Sequence, residues 1–293
     1  MEGFINLCGD IYRLKTPAGG IWSAITFIDG EKKILIDSGE KAQYIDELLV
    51  PALKSMGYQM TEIDYLFNTH CHGDHIGGHK RIVASGAPKV VTYFKSAPKL
   101  RDPLKYAKLI RAAFPDHSPE APRILEGVEP DIIVKNNDML ADRLLLVASP
   151  GHDDDAVCFY DTKTKALISG DSLQGNGTVT QGTAFYMDVD DYRNSIKHIR
   201  EMDIEYMISG HSYLSCQDKA VGREEVKKYL DCCYDVTVRY ENYIREQVNA
   251  GETDVVRIAE GLIRHMDNKK PAKLFLPLYT VTAHMKKLQK ENN

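Results

Sequence analysis

Apolar residues fall into two rhythms along the chain. Ile21-Trp22-Ser23-Ala24-Ile25-Thr26-Phe27-Ile28 and Lys33-Ile34-Leu35-Ile36-Asp37 are short runs on either side of the turn pair Asp29-Gly30, which predicts a hairpin. Between Glu40 and Met56 the positions Ile45, Leu48, Leu49, Ala52, Leu53 and Met56 recur at helical spacing, with Pro51 placed to kink or interrupt the helix. A buried strand at Tyr65-Leu66-Phe67, a histidine-rich segment, a short helix from Asp74 to Ser85 and a strand at Lys89-Val90-Val91-Thr92-Tyr93 continue the alternation. Farther on, Ile132–Val134, Leu144–Val147, Val157–Tyr160 and Ala166–Ser169 predict closely spaced strands, followed by a helix from Asp190 to Met202 and a strand at Tyr206–Ile208. This second block mirrors the first. From Gly222 onward the pattern is wholly helical, over 223–248, 254–266 and 273–289.

One stretch breaks the rhythm. Residues 95–130 carry six prolines around a single helical segment, Leu104 to Phe114, and read as an insertion or lid. The chain therefore divides into an α/β body, residues 1–215, and a C-terminal helical extension, residues 216–293. With 293 residues, 43% of them apolar, and a formal charge of −5, a disordered chain is excluded. No apolar run approaches the roughly 18 residues of a membrane span, and Met1-Glu2-Gly3-Phe4-Ile5-Asn6 lacks a basic leader, so a cytoplasmic protein without membrane attachment is expected. The six cysteines form no CxxC pair, which points to reduced thiols. A pI near 6.1 and the absence of a basic stripe argue against a nucleic-acid partner and for a small-molecule substrate.

Chemistry concentrates in Thr69-His70-Cys71-His72-Gly73-Asp74-His75-Ile76-Gly77-Gly78, directly after a strand. In extended backbone His70 and His72 share a face while Cys71 points away, and a turn at Gly73 lets Asp74 and His75 project back from the start of a helix. Burying these imidazoles and a carboxylate together costs on the order of several kcal/mol unless a cation compensates. His152, Asp171 and His211 occupy matching places, each just past an apolar strand and each preceded by a glycine where the strand is expected to end. Five imidazoles and two carboxylates exceed the needs of one tetrahedral zinc and suit two ions about 3.5 to 4 Å apart.

The run His70-x-His72-x-Asp74-His75, followed in order by His152, Asp171 and His211, resembles the metallo-β-lactamase superfamily, and Ile34-Leu35-Ile36-Asp37-Ser38-Gly39 is similar to its upstream aspartate motif. The resemblance covers roughly residues 4–215. It implies a four-layer αββα sandwich followed here by the helical extension. It also implies one metal site of His70, His72 and His152, a second of Asp74, His75 and His211, and Asp171 bridging them. Asp37 would stand behind the ligands; its alternative is an ordinary turn aspartate before Gly39. Asp171 moves the chain away from true β-lactamases and toward members resembling glyoxalase II and lactonases, while His72 stands where diiron redox relatives typically carry Glu. Two departures blur the substrate class: Asp153-Asp154-Asp155 follows the third histidine, and Ser172-Leu173-Gln174-Gly175 offers no tyrosine after the bridging aspartate. Tyr186 is the nearest phenol to meet a substrate carbonyl, and Trp22, beside Gly19-Gly20 on an early loop, can wall the pocket; both have core packing as the alternative. His79, His117, His198, His265 and His284 read as ordinary. The stretch Tyr279–Leu288 is similar to the last helix of the winged-helix-like tail of some members and leaves dimer contacts open.

The expected activity is a binuclear metallohydrolase acting on a small carbonyl substrate, a lactone, thioester or ester. A hydroxide between two divalent ions, zinc first with iron or manganese as alternatives, attacks the carbonyl while Asp74 orients it. The rivals are a phosphodiesterase or nuclease of the same fold, an iron-dependent redox enzyme, and a non-catalytic metal-binding regulatory protein.

Overall fold

The computed structural model describes residues 3–291, so Met1 and Glu2 of the leader reading lie outside the described residues. Seven strands form the first sheet in chain order: β1 (Ile5–Cys8), β2 (Ile11–Ala18), β3 (Ile21–Asp29), β4 (Lys33–Ile36), β5 (Tyr65–Phe67), β6 (Lys89–Tyr93) and β7 (Ile132–Val134). Pairing is antiparallel up to β4 and parallel from there to β7. The second sheet contains β8 (Met139–Leu140), β9 (Leu144–Ala148), β10 (Val157–Asp161), β11 (Ala166–Gly170), β12 (Tyr206–Tyr213) and β13 (Gln217–Val221), with only β11 and β12 parallel.

The continuous apolar runs are strands covered on both faces. Along β9, Leu144 and Leu146 enter the core between the sheets, whereas Leu145 and Val147 face the helices on the other side. Phe67 and Phe159 stack across the inter-sheet core with ring centroids 5.4 Å apart. Ile25, Phe27, Leu35 and Leu66 cover the outside of the first sheet together with Ile45, Leu49, Leu53 and Ile82. The result is helices, sheet, sheet, helices.

On the first sheet's outer face lie α1 (Ala42–Tyr44), a π-helical turn at Ile45–Leu49, and α2 (Val50–Ser55). Pro51 has no N–H to give, and the Val50 N–H reaches back to the Ile45 carbonyl instead, so the interruption takes the form of a widened turn. The helix expected from Asp74 to Ser85 is two pieces, α3 (Gly73–Ile76) and α4 (His79–Gly86). Between them Gly77 passes so close to Glu40 that a Cβ would lie 1.9 Å from its carbonyl oxygen, and only glycine permits that approach.

Residues 95–130 contain α5 (Ala97–Arg101) and α6 (Pro103–Ala112), with the Asp102 side chain capping α6 through the Lys105 N–H at 3.0 Å. On the second sheet lie α7 (Val189–Arg200), α8 (Arg223–Asn249), α9 (Val255–His265) and α10 (Phe275–Glu291). Val236, Tyr240, Leu262, Leu278 and Val281 share one core with Val147, Cys158, Leu167 and Met207. The second sheet also runs past residue 215: β13 belongs to it, although the sequence pattern assigned those residues to the extension. The insertion is fastened to α10, since the Tyr279 hydroxyl donates to the Ile110 carbonyl at 2.7 Å and the Phe275 N–H donates to the His117 carbonyl at 3.1 Å. Among the described residues no helix is long and apolar enough to cross a membrane.

Candidate metal centre

The chain stays extended from the end of β5 to His72, whose φ of −74° and ψ of 150° precede the first turn of α3. That alternation brings the His70 and His72 rings to 4.5 Å between centroids and sends Cys71 into a small cluster with Ile76, Val90, Leu100 and Val128. α3 adds Asp74 and His75, and the loop after β9 adds His152. Asp171 follows Gly170, which ends β11 at a φ of +49°. His211 differs from the expectation, because β12 continues through it to Tyr213 and no turn occurs at Gly210. Gly210 is needed for closeness: a Cβ there would lie 2.7 Å from Asp171 Oδ1 and 3.0 Å from His75 Cε1.

Two groups of ligand-type atoms converge. In the first, His152 Nε2 lies 3.2 Å from His70 Nε2 and 3.0 Å from His72 Nδ1. In the second, His211 Nε2 lies 3.3 Å from His75 Nε2 and 3.1 Å from Asp74 Oδ2. Asp171 stands between them, with Oδ1 3.3 and 3.4 Å from the Nε2 atoms of His75 and His211 and Oδ2 3.8 Å from that of His152.

These residues fit divalent cations. Zinc–nitrogen bonds of about 2.0 to 2.1 Å in a tetrahedron place their nitrogens roughly 3.3 Å apart, close to the separations observed. Asp171 Oδ1 is buried with no hydrogen-bond partner, as an oxygen reserved for a cation would be. Three of the imidazoles are also held from their other side. His75 Nδ1 meets Asp37 Oδ2 at 2.8 Å, His152 Nδ1 meets the Phe185 carbonyl at 2.8 Å, and His211 Nδ1 meets the Trp22 carbonyl at 2.6 Å. A proton on Nδ1 leaves the Nε2 lone pair facing inward.

Electrostatics divides the groups. Burial, reinforced by neighbouring histidines, pulls His70 well below the usual imidazole range, and burial with His72 pulls His152 down to about 4. Burial also opposes charge on His75 and His211, but Asp171 and Asp74 outweigh it, raising His75 strongly and His211 to about 10. Burial alone would raise Asp74 and Asp171; the imidazoles beside them hold both below the ordinary carboxylate range.

Asp37 joins both of its readings. It takes a φ of +63° at a turn, and its carboxylate accepts the Thr69 N–H at 2.7 Å as well as holding His75. Trp22 lies within β3 and not on a loop; its carbonyl anchors His211 and its ring sits 6.4 Å from that imidazole. Tyr186 is not at the cavity: it is fully buried, with its hydroxyl 2.7 Å from His284 Nε2. The preceding Phe185 faces the site, stacked on His72 at 5.6 Å. His284 and His79, read as ordinary, are core residues: both are buried, and His79 Nδ1 pairs with Ser38 at 2.7 Å.

The acidic run after His152 is a built structure. Lys99 Nζ bonds Asp153, Asp154 and Asp155 at 2.7, 2.5 and 2.9 Å, and the Tyr106 hydroxyl donates to Asp153, whose Oδ2 lies 3.3 Å from His72 Nε2. Sequence reasoning missed Lys99 and Tyr106 because they come from the insertion, far from their partners in the chain. It also missed Gln174, which accepts the Phe185 N–H at 2.8 Å and donates to Asp171 Oδ2 at 3.4 Å.

A family model described as the metallo-beta-lactamase superfamily matches residues 22–211. A beta-lactamase-like protein 2 homolog of Caenorhabditis elegans is 29% identical over 69% of this chain and 58% of its own length, so the chain spans less than two thirds of that relative. An atrochrysone carboxyl ACP thioesterase of Aspergillus fumigatus is 24% identical over 83% of this chain and 67% of its own. Among solved structures, a metallo-beta-lactamase family protein from Thermus thermophilus superimposes with a TM-score of 0.74, covering 97% of this chain and 94% of that one at 18% identity.

Proposed function

This chain belongs to the metallo-β-lactamase superfamily, and from that premise we propose that it is a binuclear metallohydrolase acting on a small carbonyl substrate, a thioester, lactone or ester. The observation that carries the reading is the position of Asp171, whose two carboxylate oxygens face different groups of imidazoles. His70, His72 and His152 would hold one cation, Asp74, His75 and His211 the other, and Asp171 both. Zinc suits this imidazole-rich set, with iron and manganese as alternatives. Bound there, two divalent cations supply Lewis acidity toward a carbonyl oxygen and lower the pKa of water. Asp74 remains about a third exposed, at 32%, while His75 and His211 beside it are buried. Its carboxylate therefore faces the cavity and can accept a hydrogen bond from an attacking water, orienting its lone pair. Phe185, with Phe275 and Tyr279 packed on it at 6.3 and 5.7 Å, forms an apolar wall that keeps bulk water from the reacting carbonyl. The similarity to an ACP thioesterase favours thioesters within this class.

Elemental analysis and a substrate panel test the reading together. Protein reconstituted with zinc, manganese or iron is expected to hold close to two ions per chain. It should turn over thioesters, lactones or aryl esters with higher kcat/KM than nitrocefin, bis-(p-nitrophenyl) phosphate or a short RNA. Asp74→Ala should lower kcat by about 10²-fold while circular dichroism stays unchanged. A stoichiometry that stays at one or below, or a phosphodiester turned over best and lost in the Asp74 variant, would replace this reading.

A further inference from the structure

Arginines that leave solvent in this fold do so with a carboxylate. Arg13, Arg143 and Arg193, whose side chains are 2, 11 and 12% exposed, pair with Asp218, Asp10 and Glu241. Arg111, in the last turn of α6, is the exception. It is half-buried, its Nε is buried without a hydrogen-bond partner, and no carboxylate among the described residues forms an ion pair with it. The protein itself takes one N–H, from Nη1 to the Ala107 carbonyl at 2.8 Å, of the five that a guanidinium offers.

Its position connects it to the candidate centre. The guanidinium carbon lies 5.8 Å from the centroid of the Phe275 ring, Phe275 packs on Phe185 at 6.3 Å, and Phe185 packs on His72 and His152 at 5.6 and 4.9 Å. Asp74 is the carboxylate whose charge acts on it. The other nearby charges are already committed, since Lys99 binds all three carboxylates of the 153–155 run and Lys15, on the Trp22 side, pairs with Asp218 at 3.6 Å. Arg111 is thus left without a carboxylate among the described residues, behind Phe275 in the line of rings that leads to His72 and His152, in a partly apolar setting where an incoming anion is worth more than it is in water.

We infer that Arg111 binds an anionic group on the substrate, so that the preferred carbonyl compound carries a carboxylate or similar charge near the bond to be cleaved. This rests on the hydrolase reading above for the identity of that bond, but not for the binding of the anion. The planar fork of a guanidinium matches a carboxylate through two parallel N–H donors, which a lysine does not reproduce. The competing role is structural, with Arg111 tying the last turn of α6 to Ala107 and covering Phe275 with its stem.

Matched pairs of esters separate the two. Mono-p-nitrophenyl glutarate and p-nitrophenyl pentanoate differ by a charge on the acyl side, and p-acetoxybenzoate and phenyl acetate by a charge on the leaving group. In metal-loaded wild-type protein the anionic member of at least one pair should have the higher kcat/KM. In Arg111→Met, which keeps an apolar stem over Phe275, that preference ratio should fall about 10- to 100-fold, and Arg111→Lys should recover only part of it. A structural role would lower both members by the same factor and leave the ratio intact. Calorimetry on the same proteins supplies a reading that needs no turnover: glutarate should bind the wild type more tightly than pentanoate, and the gap should close in Arg111→Met. A wild type with no preference for the charged member and no gap, or an Arg111→Met variant in which both persist, overturns the inference while ester turnover keeps the hydrolase reading alive. No turnover of any ester together with a gap that closes in the variant does the reverse.

Discussion

His75, His152 and His211 each use Nδ1 as an anchor and present Nε2 to the centre, so the protonation of the metal-free protein depends on what lies inside the cavity. His211 is raised from 6.5 to about 10 because the charges of Asp171 and Asp74 outweigh burial, and His152 is lowered to about 4 because burial and His72 win. A raised pKa in the folded state means that protonated His211 stabilises the metal-free protein fully below pH 6.5, and that this contribution is lost as pH climbs through about 10. A cation taken up there must displace the proton. Uptake by the Asp74, His75 and His211 group is thus expected to release protons at pH 7 and to tighten as pH rises. At the other group, where His70 and His152 are held below the usual imidazole range, uptake should release fewer. Calorimetric titration of chelator-stripped protein with zinc in buffers of different ionisation enthalpy counts the protons for each equivalent. Equal release by both equivalents would contradict the assignment of the charges. These shifts were not legible in the sequence, where all five histidines looked alike; they arise from contacts between residues as far apart as Asp74 and His211.

At the scale of elements, the readable strands were those whose apolar run is unbroken. The hairpin of β3 and β4, the strand β5 and the four runs around 132–169 all appear where the pattern places them. β2 and β13 were invisible for a common reason. β2 carries Arg13, Lys15 and Pro17, and β13 is the polar edge sequence Gln217-Asp218-Lys219-Ala220-Val221. Arg13 is only 2% exposed and is tolerated inside because Asp218 from β13 meets it at 2.7 Å, so each of the two strands hides the other's signal. The glycines were legible as positions but not as reasons. Gly210 sits in mid-strand, where a methyl group would press on Asp171 Oδ1 and His75 at 2.7 and 3.0 Å. Gly210→Ala is therefore expected to leave the strand intact and to weaken cation binding at the His75 and His211 group by about 10- to 100-fold, comparable to losing a residue that orients ligands. Equilibrium dialysis with zinc, with thermal melting as the check on folding, measures it. Full retention of both ions at wild-type affinity would mean that the close approach of β12 to Asp171 does not matter.

For the whole molecule, the change of pattern at residues 215–222 invites a cut between a metal-binding body and a helical appendage, and the packing predicts that this cut fails. Helices α8 to α10 place Tyr229, Leu230, Val236, Tyr240, Ile258, Leu262, Leu278 and Val281 in the same core as Val147, Cys158, Leu167 and Met207 of the second sheet. Each fully buried side chain of this size contributes about 1.5 to 3 kcal/mol, and a domain has only about 5 to 15 kcal/mol in total. Uncovering even half of that surface, at about 6 to 12 kcal/mol, is as large as the whole reserve. The two ends of the site depend on the same helices, because α10 fixes the insertion through Tyr279 and Ile110 and supplies Phe275 beneath Arg111. A chain truncated after Gly222 is accordingly expected to aggregate or to melt without a cooperative transition. Tyr279→Ala in the full-length chain should instead keep a cooperative melt, because it removes one hydrogen bond and a partly exposed ring at the rim of the core. If the truncated chain melts cooperatively and still binds two ions, the extension is a separate domain and the shared core is not what holds the sandwich together.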